Sequence, residues 1–332
     1  MKRLTVLAFL ILMGSILYGA VWFVPDSVNN IQAAVDTASS GDTILVRGAY
    51  QNLGPVEIVD KQIALLSNNY INNPSSYTIS SGVALFDSLN NAPLLSLKNA
   101  DNSIIKGFLF DKSDIGNGGA VLIENSDNII IRAVHFKANT LSLLNSSVLD
   151  TNTQHYDLDS SLVSLIHMNN SQLRIHNVQL KNNSVKTLIN IDNGSEFHAE
   201  NMASYSNETS SYLYDITSSF AYFDFFTSYF NANSGNDWHF NDSYISINSS
   251  VLENNPPLDI TQCEINYTAL PGPFPGNGNL FEKALIDSVS SYPKLLETSP
   301  CISAANPDTT AIARYDLLGN PRPNPEWAAP DM

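Results

Sequence analysis

A solenoid of stacked parallel β-strands, closed at its N-terminal end by one short helix, is the fold this sequence predicts. Three observations predict it. Residues 128–139, 172–183 and, more loosely, 244–255 are versions of one unit, an apolar-alternating segment followed by a turn that ends in asparagine. From about residue 56 to 268, Val, Ile, Leu, Phe and Tyr alternate with Asn, Ser, Asp and Thr, with turn residues every few positions and no helical periodicity of any length. A single helical pattern, Val28, Ile31, Val35 and Ala38, stands in front of these strands. A unit of this size cannot bury its apolar face alone, so its copies must stack on one another.

Residues 1–20 read as a secretory signal: Lys2 and Arg3 give the positive start, residues 4–12 the apolar stretch, and Gly19-Ala20 a small-residue end. The alternative, an uncleaved anchor, is disfavoured because Gly14 and Ser15 interrupt a run already short of the ~20 residues a span needs. No later segment has the length and apolarity of a span. The expected mature chain, residues 21–332, is therefore exported, with a cap and first strand over 21–55, coils over 56–268 and a loop-rich closing segment over 269–332. In the cap, Ser27 is the expected N-cap and Gly41 the expected stop. Residues 43–46 read as a strand and 48–50 as a turn. The helix covers the open end of the core, as a terminal cap must in a solenoid.

Aligned on Asn139, the equivalent turn positions are Ser113, Asn183, Asn207, Asn233 and Asn255, in steps of 26, 44, 24, 26 and 22 residues. The step of 44 is two coils of about 22, one of them degenerate or carrying the polar stretch 150–155. The alignment gives three inward columns. The first holds Ile105, Ile131, Ile175, Ala199, Phe225 and Ile247. The second holds Phe108, Val134, Val178, Met202, Ser228 and, off by one residue, Val251, and the third Phe110, Phe136, Leu180, Ser204, Phe230 and Leu252. Asparagine at the bend tolerates left-handed backbone and bonds to its own kind along a ladder, which explains its register with the apolar columns. The tail changes character at 271–276 and from Pro293 onward, where Pro and Asn predict a strap of loops over the last coil.

Lys and Arg total 16 against 32 Asp and Glu, a formal net charge of −16 that becomes −18 once Lys2 and Arg3 leave with the signal. Such a chain is repelled by DNA, RNA and anionic lipid, so nucleic-acid partners are excluded. An acidic polysaccharide could be met only through a local basic site or bridging cations. Cys263 and Cys301 are the only cysteines, a candidate disulfide in an oxidising compartment. No His or Asn signature marks either as a catalytic thiol.

Residues 31–46 with Gly48 to Tyr50 resemble the N-terminal cap and first strand of secreted bacterial right-handed parallel β-helix proteins of the pectin-lyase-like superfamily. Residues 63–67 resemble the first coil of that group, and 105–108 with 118–121 its repeat core. Residues 299–302 and 316–322 resemble its closing segment. The resemblance implies a right-handed parallel β-helix with a capping α-helix. It also implies that a natural chain can continue past Met332 into an anchoring module. It does not fix function, because the superfamily holds lyases, hydrolases, esterases and non-catalytic adhesins. The paired aspartates of galacturonan hydrolases and the arginine-centred motif of calcium-dependent pectate lyases are missing. Of the pectin esterase pattern only Gly48-Ala-Tyr-Gln51 is present, with Asn at position 52 and without the aspartate motifs.

The outward positions carry what chemistry remains. The alignment puts Arg174, His198 and Asp224 at one outward position on successive coils, and His176 with Glu200 at the next. Stacked strands hold such residues about 5 Å apart. The set could neutralise a uronate (Arg174), accept a proton (a His), and supply an acid or a Ca²⁺ ligand (a carboxylate). Equally, it could be a solvated sheet face with ordinary cross-strand pairs. Aromatics are dense at Tyr212, Tyr214, Phe220, Tyr222, Phe223, Phe225, Phe226, Tyr229 and Phe230, followed by Trp238 and His239. Of these, Tyr222 and Trp238 join His176 and Glu200 as candidate ligand contacts. Gly116 to Gly119 lacks the lysine and the strand-to-helix context of a phosphate loop. The expected role is a secreted or surface-exposed monomer that binds polysaccharide or a cell-surface glycan without catalysis, needing no cofactor but with calcium an open alternative. The rivals are a polysaccharide lyase or glycoside hydrolase and a structural spacer.

Overall fold

The computed structural model describes residues 19–307 apart from 48–49, 69–83, 89–92, 113–120, 138–140, 145–146, 158, 182, 230, 234–236, 254–261 and 288–293. Residues 1–18 of the expected signal, Ser113, Asn139, Asn255, Phe230 and the closing stretch 316–322 lie outside these residues. The chain forms a parallel β-helix. Its first sheet runs Val21–Val24, Asp42–Val46, Ile63–Ser67, Ile104–Lys106, Ile129–Lys137, Ser147–Asp157, Gln172–Lys181, Glu196–Tyr205, Phe220–Asp224, Tyr244–Asn248 and Cys263–Asn266, each strand hydrogen-bonded to the next coil's. A second sheet stacks Val56–Val59, Leu95–Lys98, Val121–Glu124, Leu141–Leu144, Asp159–Asn169, Ser184–Asp192 and Glu208–Thr217 in the same sense. No helix among the described residues is long and apolar enough to cross a membrane.

The helix is Ile31–Thr37, shorter than the spacing suggested, and its N-cap is Asn30, not Ser27. Asn30 Oδ1 accepts from the Ala33 amide at 2.8 Å. Ser27 instead closes a turn onto Phe23, its amide donating to the Phe23 carbonyl at 2.7 Å. Ile31, Ala34 and Val35 are buried over the end of the core. Lys61 Nζ donates to the Val35 and Ala38 carbonyls at 2.9 and 3.1 Å, a cation on the negative end of the helix. At the other end the loop after the last strand mimics a further coil. The Tyr267 amide donates to the Asn277 carbonyl at 2.7 Å, and Asn279 Oδ1 accepts from the Thr268 amide at 3.1 Å.

Register between coils fixes the core. Ile105, Ile131, Ile175, Ala199, Phe223, Ile247 and Ile265 follow one another inward along the first sheet, with Thr151 at that position between Ile131 and Ile175. Three of the aligned columns therefore slip by two residues at one coil. Phe223 replaces Phe225, Phe226 follows Met202 in place of Ser228, and Ser228 stands over Ser204 in place of Phe230. The slip came from choosing Asn233 as the bend residue where Asn231 serves. The step of 44 is two coils, as expected, and the polar stretch 150–155 lies within the strand Ser147–Asp157, where the register against the neighbouring coils shifts.

Two buried polar ladders hold the bends. At one, Asn183 N and Nδ2 both donate to Asn207 Oδ1, at 3.0 and 2.7 Å, and Asn207 N and Nδ2 repeat the pattern on Asn231 Oδ1, at 3.1 and 2.8 Å. Asn233 lies off this ladder, paired along the sheet with Thr209. At the other bend Ser171, Ser195, Ser219 and Ser243 recur every 24 residues, and each of the first three donates its amide to the next hydroxyl at 3.1 to 3.2 Å. Asn170, Asn193, Ser218 and Asp242, just before or within these turns, have φ of 45°, 55°, 49° and 51°. Short polar side chains meet that left-handed backbone at little cost.

Cys263 packs at the edge of the main core, whereas Cys301 is buried in a separate cluster with Phe225, Val251, Ala269 and Ala284, where the strap lies over the last coils.

Candidate functional site

The outward side chains of Gln172–Lys181, Glu196–Tyr205, Phe220–Asp224, Tyr244–Asn248 and Cys263–Asn266 form three rows across the first sheet. They project outward because strand alternation sends Phe197, Ala199, Ala221, Phe223, Ile245 and Ile247 into the core. One row is Arg174, His198, Tyr222, Ser246 and Glu264. The next is His176, Glu200, Asp224, Asn248 and Asn266, and the third Gln172, Glu196, Phe220 and Tyr244.

The expected trio is thus split. Arg174 and His198 do share a position, but Tyr222 completes their row, and Asp224 sits beside Glu200 in the row of His176. The 24-residue step between these coils, read as 26 in the sequence, accounts for the displacement. All five polar candidates still lie on one patch. Trp238 does not: it is buried, in contact with Tyr214 and Phe223 at centroid distances of 4.3 and 5.6 Å, so it is core and no ligand contact.

The His198 ring stacks on Tyr222 with centroids 4.4 Å apart and 14° between planes, and its Nε2 lies 2.6 Å from Glu196 Oε1. Tyr222 in turn meets Tyr244 at 6.0 Å, and the Tyr244 hydroxyl donates to Glu264 Oε2 at 2.8 Å. That bond, with some burial, raises the Tyr244 phenol above its ordinary value. In the neighbouring row His176 Nδ1 stands 3.4 Å from Glu200 Oε2, and Asn248 Nδ2 donates to Asp224 Oδ1 at 3.2 Å. Burial is the main cause that lifts the Asp224 carboxyl above the usual carboxylate range; the Asn248 bond opposes it and the nearby Glu200 charge adds to it.

Phe220, Tyr244 and Glu264 belong to this face and were not singled out from the sequence as site residues. The signal that finds Phe220 and Tyr244 is the 24-residue step, which carries Glu196 to Phe220 to Tyr244; Glu264 follows Ser246 across a shorter coil, 18 residues on. The second sheet presents a smaller counterpart. His167, Asn190, Asp215 and His239 share one outward row, with His239 Nδ1 2.8 Å from Asp215 Oδ1 and its ring stacked on Tyr212 at 4.7 Å. Among the described residues no group of three or more His, Cys, Asp or Glu is placed to hold a metal ion.

No protein-family model matches the chain, and no curated protein matches it. Among solved structures the chain is similar to the alginate lyase from Paenibacillus sp. str. FPU-7, at 9% identity and a TM-score of 0.30, over 63% of this chain and 95% of that one. At that distance the likeness carries nothing about activity, and the functional reading rests on the side chains of the first sheet.

Proposed function

We propose that this is an exported protein whose first-sheet face binds a neutral glycan chain. The observation that carries the reading is the run of outward rings on neighbouring coils, Tyr222 stacked on His198, with Phe220 and Tyr244 exposed beside it. Sugar rings offer apolar C–H faces to aromatic rings and hydroxyls to flanking polar groups. Here Glu196, Glu200, Asp224, Asn248 and Arg174 flank the rings. Four carboxylates, Glu196, Glu200, Asp224 and Glu264, stand on the face with Arg174, on a chain of net charge −16. Like-charge repulsion therefore favours neutral over uronic-acid polymers. Export rests on the N-terminal pattern of residues 1–20, and the resemblance to secreted β-helix proteins agrees with it.

One observation favours a second reading, glycoside hydrolysis. Asp224 and Glu200 occupy paired positions on adjacent strands, about 4.8 Å apart along the sheet, and burial raises the Asp224 carboxyl above the usual carboxylate range. A raised carboxylic acid beside an ionised carboxylate is the equipment of a retaining glycosidase.

A glycan array probed with the purified protein, followed by incubation with the bound polysaccharides, tests both. Binding to neutral chains without new reducing ends supports the first reading. Release of reducing ends that disappears in Asp224→Asn supports the second. Retention only of uronic-acid polymers, or of no glycan, overturns the first. A lyase would instead produce an ultraviolet-absorbing unsaturated product.

A further inference from the structure

The first five strands of the first sheet differ in composition from those that follow. Val21–Val24 reads Val-Trp-Phe-Val, 43–46 Thr-Ile-Leu-Val, 63–66 Ile-Ala-Leu-Leu, 104–106 Ile-Ile-Lys and 129–132 Ile-Ile-Ile-Arg. By contrast, 173–176 reads Leu-Arg-Ile-His and 197–200 Phe-His-Ala-Glu. Near-continuous apolar runs are the mark of strands covered on both faces, and alternation is the mark of one solvated face. Here the inward residues, Ile44, Leu65, Ile105 and Ile131, are buried in the core. The outward residues form two rows. One runs from Val21 through Ala64 to Ile130 without a charge; the other is Phe23, Leu45, Leu66, Lys106 and Arg132. Val21 and Phe23 are 50% and 44% exposed, and Leu45, Leu66 and Ile130 are partly exposed. The rows turn polar at the next coil, with Asp150 and Asn152. A contiguous apolar face with polar borders marks an interface.

We propose that a second copy of the chain packs on this face about a two-fold axis along the strand Ile63–Ser67, in place of the monomer expected from the sequence. Such an axis reverses each row onto itself. Leu66 meets the partner's Leu66, Leu45 meets the stem of the partner's Lys106, and Phe23 lies under the partner's Arg132. A guanidinium over a ring face is a favourable pair. Asp26, exposed beside Arg47 in the turn just past Phe23, brings a carboxylate to the same end of the row. The other two-fold arrangement, with its axis along the stack of coils, sets Glu196, Glu200, Asp224 and Glu264 against their own copies, which like-charge repulsion disfavours. The antiparallel pair leaves those later coils uncovered, so it does not depend on the glycan reading. Five strands about 4.8 Å apart, with two outward positions about 7 Å apart on each, give a footprint of roughly 300 Å². Standard interfaces bury about 800 Å² per partner, so the pair is a weak, reversible one.

The experiment is sedimentation velocity of the purified protein from about 1 to 200 µM, in about 0.15 M salt to screen the net charge. The expected result is a monomer–dimer equilibrium that stops at the dimer. Leu66→Lys sets two cations on the axis, and Arg132→Glu changes an exposed side chain outside the core. Each should weaken the dimer about tenfold or more, while Tyr222→Ala matches wild type. The unfolding midpoint of Arg132→Glu should stay at the wild-type value, which separates lost association from lost folding. Leu66→Cys should cross-link to itself with a short bismaleimide beyond the wild-type background, and Tyr222→Cys should not. A wild-type monomer at every concentration overturns the proposal and leaves the face to another protein. Association beyond the dimer, wild-type dimerisation of Arg132→Glu, or self-cross-linking of Tyr222→Cys in place of Leu66→Cys overturns it as well.

Discussion

His198 lies flat on Tyr222, ring centroids 4.4 Å apart, while Glu196 on the same strand as His198 holds its Nε2 at 2.6 Å. The two rings come from adjacent coils, 24 residues apart in the chain, so the contact exists only because the coils stack in register. It converts a free tyrosine into a fixed platform. Rings held in one orientation lose little freedom when a sugar lands on them.

Removing the support should therefore weaken binding less than removing the platform. His198→Ala is expected to reduce affinity for the bound glycan on the order of fivefold, the worth of one stacked aromatic contact. Calorimetric titration checks this, with Glu196→Gln falling between wild type and His198→Ala. Equal affinity in wild type and His198→Ala would show that the stack does not prepare the site.

Burial works against the charged form of Asp224. Its folded pKa is raised above the unfolded value near 3.8, mainly by burial. A carboxyl with a raised folded pKa stabilises fully below the unfolded value and loses that contribution as pH rises through the folded one. Asp224→Asn, which keeps an acceptor for Asn248, should raise the unfolding midpoint at pH 7, and the gain should vanish at pH 3. Thermal unfolding across that range is the measurement. A lower midpoint for Asp224→Asn at pH 7 would show that the charge is stabilising.

Asp42 behaves in the opposite sense. The Trp22 indole N–H, then the Ser39 and Ala20 amides, hold its carboxyl below the usual range against the effect of burial. This contribution is present above the unfolded value and is lost as pH falls through the folded one. The midpoint difference between wild type and Asp42→Asn should be largest near neutral pH and shrink in acid, so a constant difference would contradict it.

The asparagine ladder should be the costliest polar element to break. Asn207 Oδ1 accepts two donors from Asn183, and Asn207 Nδ2 reaches the Leu180 carbonyl at 2.9 Å. Asn207→Ala removes the acceptor of two buried donors and the donor to the buried Leu180 carbonyl, a loss on the order of 3 kcal/mol. Gln172→Ala, on the exposed face of the first sheet, should cost less than about 1 kcal/mol. Denaturant unfolding of the two variants separates them.

Apolar alternation and the recurring bend asparagine made the stacked architecture and most inward columns legible in the sequence, because each inward residue repeats its neighbour's chemistry. Three things were not legible. Asn231 and Asn233 are chemically identical two residues apart, and choosing the wrong one shifted a whole coil; since the side-chain period is two, every residue stayed on its correct face while moving one place along it. Asp224 and Tyr222 exchanged rows for this reason alone. The serine ladder of Ser171, Ser195, Ser219 and Ser243 was hidden because serine is common in every turn of this chain, and only its spacing of 24 marks it. Trp238 could not be placed from alternation, since its strand belongs to the second sheet and pairs with Tyr214 in the core.

The most direct measurement of the central claim is the affinity of Tyr222→Ala for the polysaccharide that the wild-type protein retains, determined by calorimetry beside its unfolding midpoint. The prediction is a loss of tenfold or more, about 1.4 kcal/mol, with the midpoint within a few degrees of wild type. Undiminished affinity in a folded Tyr222→Ala protein would contradict the assignment of glycan binding to this face.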